Sequence, residues 1–168
     1  TEILVDLIIK DENNSKKILD IGTGSGAISL ALSKNLKDSK ILGIDISKDA
    51  IDLANENKIK LNINNVNFIE SDIFSNIKEK FDLIVSNPPY INKKDFDNLD
   101  EKLSYEPQNA LYGGEDGLDF YKEIIKNAKN FLNKNGKIYL EIGYDQKEPI
   151  LNLLNEYGYK NIESYKDF

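Results

Sequence analysis

Residues 81–91, FDLIVSNPPYI, place an amide, two prolines and an aromatic ring directly behind an apolar run. Phe81, Leu83, Ile84 and Val85 have the composition of a strand covered on both faces. Pro88 and Pro89 stop it, because neither can donate to a sheet ladder or continue a helix. Asn87 offers a carboxamide oxygen, and Pro88 a carbonyl whose direction is fixed by the ring-locked φ. Two acceptors side by side match the two hydrogens of a planar NH2 group, and holding both aims the nitrogen lone pair. Tyr90 is placed to stack on a flat substrate group. A bare proline-rich turn explains the prolines but not the amide and ring around them.

Three further groups fall at strand ends. DIGTGSG (20–26) supplies small residues that let backbone approach a ligand and enter a helix N-terminus. The dinucleotide fingerprint G-x-G-x-x-G fails, because its third glycine would fall on Ala27; this counts against a nicotinamide enzyme. Asp45, about twenty residues on, is placed to accept both hydroxyls of a ribose. Capping of the next helix is its structural alternative. Asp72 can accept from an adenine amino group, with Ile73 and Phe74 as apolar neighbours of the ring, although SDIF also suits an Asx turn. Together these groups describe a site that presents a conjugated NH2 nitrogen to an electrophile on an adenosine cofactor, the methyl-sulfonium of S-adenosylmethionine.

Such residues need elements to hold them. Ile3, Leu4, Leu7 and Ile8 recur at helical spacing, predicting a short helix within residues 1–12. KKILDI (16–21) predicts a strand running into the glycine loop, and residues 27–36 a helix with Ile28, Ala31, Leu32 and Leu36 on one face. KILGID (40–45) predicts a second strand. Ser47 is placed to cap a helix from Lys48 to about Leu61, with Ile51, Ala54 and Ile59 inward. NVNFIES (65–71) and FDLIVS predict the third and fourth strands. Residues 88–117 read as a long irregular segment, functional or mobile. Beyond it come a helix over 118–132 (Tyr121, Ile124, Ile125 and Ala128 inward) and a strand over 136–143, introduced by a Gly turn after Asn135. A helix over 146–157 (Ile150, Leu153, Leu154, Tyr157) and a sixth strand over 159–165 follow. This alternation predicts an α/β fold with a doubly wound, mainly parallel sheet. Ligands of such sheets sit outside the carboxyl ends of the strands.

Composition removes whole classes of chemistry. The 168 residues fit one domain. Cys and His are absent, so thiolate nucleophiles, imidazole bases and nearly all zinc sites are excluded. All 22 cationic side chains are Lys, so no bidentate guanidinium clamp is available. A net charge of -7 argues against a large nucleic-acid footprint. No apolar stretch approaches the ~20 residues of a membrane span, and the first residues lack a signal-peptide pattern. The expectations are a cytoplasmic monomer with no membrane association, no stable nucleic-acid binding and no metal.

GTGSG and NPPY resemble the class I S-adenosylmethionine-dependent methyltransferases. The resemblance narrows to the HemK/PrmC family, which methylates a glutamine side-chain amide in peptide-chain release factors. It is carried by Thr1 and Glu2, ILDIGTGSGAISLAL, SDIF, SNPPYI, YEPQNALYGGEDGLDFYKEII and YLEIGYDQ, which cover essentially the whole chain. NPPY alone is shared with methyltransferases of nucleobase amino groups. The resemblance implies a Rossmann-like class I fold using S-adenosyl-L-methionine, with a release factor as partner. Gly22, Thr23, Gly24, Ser25 and Gly26 would hold the methionine part, Asp45 the ribose, and Asp72 and Ile73 the adenine edge. Asn87, Pro88, Pro89 and Tyr90 would receive the glutamine amide. Asp20, Ile46 and Asn87 complete the expected cofactor set. Ile73 stands where some relatives carry an aromatic ring. The family has a helical recognition domain before this region and a seventh strand after it, so the expectation for residues 1–168 is a catalytic domain without either. Two other readings share these residues: a methyltransferase acting on an exocyclic amino group of RNA or DNA, and a cofactor-binding piece without turnover.

Overall fold

The computed structural model describes residues 1–12, 16–98 and 111–166. Its elements are α1 (Glu2–Asp11), β1 (Lys17–Ile21), α2 (Ala27–Asn35), β2 (Lys40–Asp45), α3 (Lys48–Lys60), β3 (Val66–Glu70), β4 (Phe81–Ser86), α4 (Lys93–Phe96), α5 (Asp119–Phe131), β5 (Leu132–Leu140) and α6 (Lys147–Glu156). The strands form one sheet in the order β3-β2-β1-β4-β5, with every pairing parallel. Two compact units divide the chain: Thr1–Asn87 with Ala128–Glu141, and Pro88–Asn127 with Ile142–Phe168. The first unit contains the whole sheet.

Apolar alternation fixes that sheet. Ile18, Ile41, Val66, Phe68, Leu83 and Val85 point to one face, where they join Leu4 and Ile8 of α1, Ile28 and Leu32 of α2, and Ile51 and Ala54 of α3 in a single core. Leu19, Ile44 and Ile84, of opposite parity, are also fully buried. Burial on both faces is what an all-parallel sheet requires, and it explains the near-continuous apolar runs. Ser47 caps α3, accepting from the Ala50 N–H at 3.3 Å. At the end of α6, Gly158 takes φ 71° and donates to Asn155 O, while Tyr159 N reaches Leu154 O, the paired bonds of a Schellman ending.

The structure corrects several expectations. Ile59 is 77% exposed: eight residues past Ile51, at 100° per residue, it has rotated about 80° off the buried stripe. β5 starts at Leu132, not at residue 136, and ends at Leu140. Its pairing with β4 slips between Phe81 and Leu83, and Asn135 there takes φ 63°. Regular pairing resumes only at Lys137, where the sequence pattern becomes readable. Residues 159–165 form no strand. Asn161 adopts φ 54°, which ends any extended run, and Tyr159 instead donates from its hydroxyl to Ile125 O at 2.8 Å. Burial pushes that phenol up to about 12. The segment expected to be irregular contains a short helix, α4, capped by Asn92, whose Oδ1 accepts from Asp95 N at 2.9 Å. Residues 99–110, which include most of EPQNAL, lie outside the described residues.

Candidate active site

Strand order reverses between β1 and β4, and the crevice at such a switch point is where open α/β sheets take their ligands. The residues after these strands, and after β2 and β3, gather the chemistry of the first unit.

The glycine loop leaves β1 through Asp20, which is fully buried. Its Oδ2 accepts from Thr23 Oγ1 and Ser29 Oγ, both at 2.7 Å. Its Oδ1, equally buried, has no hydrogen-bond partner among the described residues. Desolvation raises the Asp20 pKa above the usual carboxylate value, and the two hydroxyls only partly offset this. Gly22 and Gly24 adopt φ 71° and 54°, and a Cβ on either would meet nothing within 4 Å among the described residues. Space therefore lies open beside this backbone. Gly26, at φ 83°, differs: a Cβ there would stand 2.9 Å from the Phe68 ring and 3.2 Å from Ala54, so packing alone requires glycine. Asn57 holds the loop from α3, donating to Ser25 O at 3.0 Å.

Asp45, at the end of β2, accepts from Gly24 N through Oδ2 and from Ser47 N through Oδ1, both at 2.9 Å. It ties the glycine loop to the start of α3, while Ser47 does the capping. Each carboxylate oxygen keeps a further lone pair for a ligand hydroxyl. Ile46, next in sequence, is exposed. After β3, Asp72 and Ile73 lie in a turn knitted by Ser71 and Ser75. Ser71 Oγ donates to Ile73 O and accepts from Asn76 N, both at 3.1 Å, and Asp72 N donates to Ser75 Oγ at 3.1 Å. Ile73 sits at φ 45°, a left-handed conformation that is an outlier for a β-branched residue. Phe74 stacks on Phe131, centroids 4.4 Å apart and planes within 2°.

Asn87 follows β4, whose last residue, Ser86, donates from its hydroxyl to Ile21 O at 2.7 Å. The Asn87 NH2 donates to Thr1 Oγ1 at 3.0 Å. One amide N–H is thus committed, and the carboxamide's rotation is set with its oxygen left to accept.

The second unit begins at Pro88. Tyr90 is 40% exposed, Pro88 is buried, and Ile91 bridges to Tyr112 in parallel register. Ile91 N donates to Leu111 O at 3.1 Å, and Gly113 N to Ile91 O at 2.8 Å. Gln146, buried, gives both hydrogens of its amide to carbonyls, Tyr90 O and Gly117 O, each at 3.0 Å. Thr1 and Gln146 carry no role in a reading of spacing alone. The sequence signal for both is that they fall in stretches that carry the family resemblance, Thr1 with Glu2 and Gln146 at the end of YLEIGYDQ. Among the described residues, no cluster of acidic side chains could hold a metal ion, and no helix is long and apolar enough to cross a membrane.

An all-parallel 3-2-1-4-5 sheet with its glycine loop and acidic residue on the first two strand ends defines a Rossmann-like methyltransferase fold. The ribosomal protein L11 methylase of Lactobacillus delbrueckii subsp. bulgaricus shares it, with a TM-score of 0.69 at 24% identity over 94% of this chain and 67% of that one. A methyltransferase from Pyrococcus furiosus does so at 0.66 and 23%, over 94% and 70%. The methyltransferase small domain model matches residues 1–115, and the chain belongs to that family. It is 49% identical to the release factor glutamine methyltransferase of Fusobacterium nucleatum subsp. nucleatum, over all of this chain and 49% of that protein. Against the protein of that name from Thermodesulfovibrio yellowstonii it is 44% identical, over 99% and 62%. The chain spans about half to three-fifths of the length of these curated relatives.

Proposed function

We propose that this chain is the catalytic domain of a methyltransferase that transfers a methyl group to the side-chain amide nitrogen of a glutamine in a peptide-chain release factor. The names of relatives 44–49% identical along nearly the whole chain support the substrate class. The observation that carries the chemistry is the Asn87 carboxamide, held after β4 with an N–H spent on Thr1. The residues fit S-adenosylmethionine on two counts: open space beside Gly22 and Gly24, and two carboxylates, Asp20 and Asp45, that suit a cation and a ribose. When bound, this cofactor supplies an electrophilic methyl group.

The acceptor is a difficult one. An amide nitrogen is a poor nucleophile, because its lone pair is delocalised into the carbonyl. Asn87 Oδ1 accepts one N–H of the substrate amide and the Pro88 carbonyl the other, which favours charge build-up on nitrogen and aims it. Water takes the proton after transfer, so no His or Cys is needed. The proposed setting is a cytoplasmic monomer that binds no nucleic acid stably.

The decisive experiment incubates the protein with cofactor and release factor, or with RNA and DNA, and locates any added methyl by mass spectrometry. Methylation of the glutamine is expected; methylation confined to nucleic acid overturns the reading. Asn87→Ala should lower the single-turnover rate by about 10²–10³-fold and leave cofactor affinity within a few-fold. Asn87→Asp should retain clearly more activity than Ala, because the Thr1 hydroxyl can donate to a carboxylate as readily as it accepts from an amide.

A further inference from the structure

Gln146 is a buried polar side chain whose hydrogen bonds all end on backbone. Oε1 accepts from Gly143 N at 3.0 Å, and Nε2 donates to Tyr90 O and to Gly117 O, each at 3.0 Å. These partners are remote in sequence: Tyr90 is 56 residues away and Gly117 is 29 away. One carboxamide therefore ties the last residue of NPPY to the GGEDG turn and to the segment entering α6. A carboxamide is the side chain that can accept once and donate twice in one plane. Apolar packing would leave two buried carbonyls and one buried N–H unsatisfied.

Three glycines surround the same spot; Gly113 and Gly117 are required by closeness to backbone, and Gly143 is packed tightly against side chains. A Cβ on Gly113 would lie 2.8 Å from Pro89 O and 2.9 Å from Tyr90 Cα. On Gly117 it would lie 2.5 Å from Tyr90 O and 2.8 Å from Gln146 Nε2; on Gly143, 3.3 Å from the Tyr90 ring and 3.0 Å from Gln146 Oε1. The backbone of residues 89–90 is thus packed closely by Gly113 and Gly117, with Gln146 as the side chain that locks it.

We infer that Gln146 is a positioning residue for methyl transfer, holding the Pro89–Tyr90 backbone where the acceptor group must lie. The inference rests on the function proposed above and names the element that fixes its acceptor motif. Gln146 does not touch substrate; it acts through Tyr90. Loss of its grip lets residues 88–90 wander, and a displacement of about 1 Å at a reacting group costs up to roughly a hundredfold in rate.

Gln146→Glu is the sharp variant, because it keeps the acceptor for Gly143 N, removes both donors and sets a carboxylate against two carbonyls. On the full chain, the expected result is a fall of about 10–100-fold in the single-turnover rate at saturating cofactor and substrate. KM for the glutamine substrate and Kd for the cofactor should stay within threefold. Amide exchange should rise at Ile91 and Gly113, whose bonds join the two gripped segments, and not along α6. A rate within twofold of wild type, or a loss shared equally by cofactor affinity and α6 protection, overturns the inference. Gln146→Leu gives a second test by exchange alone: unchanged protection at Ile91 and Gly113 also overturns it. If wild type methylates some other amino group, the exchange result still decides the role of Gln146, so the two failures are distinguishable.

Discussion

The molecule uses glycine in two regions for opposite reasons. Around the loop after β1, Gly22 and Gly24 have nothing among the described residues within 4 Å of where a Cβ would stand. Around Tyr90, Gly113, Gly117 and Gly143 have backbone or Gln146 atoms at 2.5–3.3 Å from that position. The first set leaves open space beside the loop. The second lets the protein's own chain approach itself and become rigid. Glycine content alone says neither; the neighbours of the absent Cβ decide.

The same substitution in each region should separate them most widely. Gly117→Ala forces a Cβ into a carbonyl and a left-handed φ onto an L-residue. It should cost about 2–5 kcal/mol of stability, read by urea unfolding, with cofactor affinity per folded molecule unchanged. Gly24→Ala should cost only about 1–2 kcal/mol of stability yet weaken cofactor binding more than about tenfold, read by calorimetry. Equal stability losses, or normal binding by Gly24→Ala, would break the contrast.

Asp45→Ala comes next, with an expected loss of about 1.5–3 kcal/mol in cofactor binding. Asp45 also anchors Gly24 N and Ser47 N, so the variant's loop amides should exchange faster. Unchanged affinity in a folded variant sinks the ribose assignment.

Ile73→Gly should give the smallest effect in kcal/mol. Relief of a left-handed φ gains about 1–2 kcal/mol; the added chain entropy of glycine removes about 0.5–1, and loss of the half-buried side chain removes roughly as much again, so stability should change by less than about 1 kcal/mol. Cofactor affinity should fall if the strained turn shapes the adenine edge. An unchanged Kd would make the strain purely structural.

Asp20→Asn tests the buried carboxylate through pH. Burial raises the folded-state pKa of Asp20 above the ordinary carboxylate value of 3.8, so the folded state holds the proton more tightly than the unfolded one. Wild-type stability should therefore fall as pH rises from 3.8 through the folded-state value, and stay reduced above it. Asn removes that slope. The ratio of variant to wild-type stability in ligand-free protein should move toward the variant between acidic and neutral pH, and a constant ratio would overturn the assignment.

Much of the first unit was legible in sequence. Apolar runs placed β1 to β4 within a residue or so, because strands buried on both faces leave little freedom of register. β5 was misplaced, since its early residues are exposed and its pairing slips, leaving no alternation to read. The strand-end residues could be named from spacing, but their partners could not. Thr1 meets Asn87 across 86 residues, and Phe131 takes the Phe74 ring that a local reading offered to a ligand. Short-range patterns encode elements; bonds like those of Gln146 appear only when the chain has folded back.

The buried carboxylate of Asp20 has a consequence for ligand charge. A buried carboxylate that holds its proton tightly makes protons and cationic ligands competitors for one negative charge. Through its raised pKa, a ligand carrying extra positive charge gains affinity as pH rises, whereas a neutral one gains none. A sulfonium has that charge before methyl transfer and the thioether left behind does not. On the function proposed above, an ionised Asp20 would hold the sulfonium form more tightly than the thioether that remains after transfer.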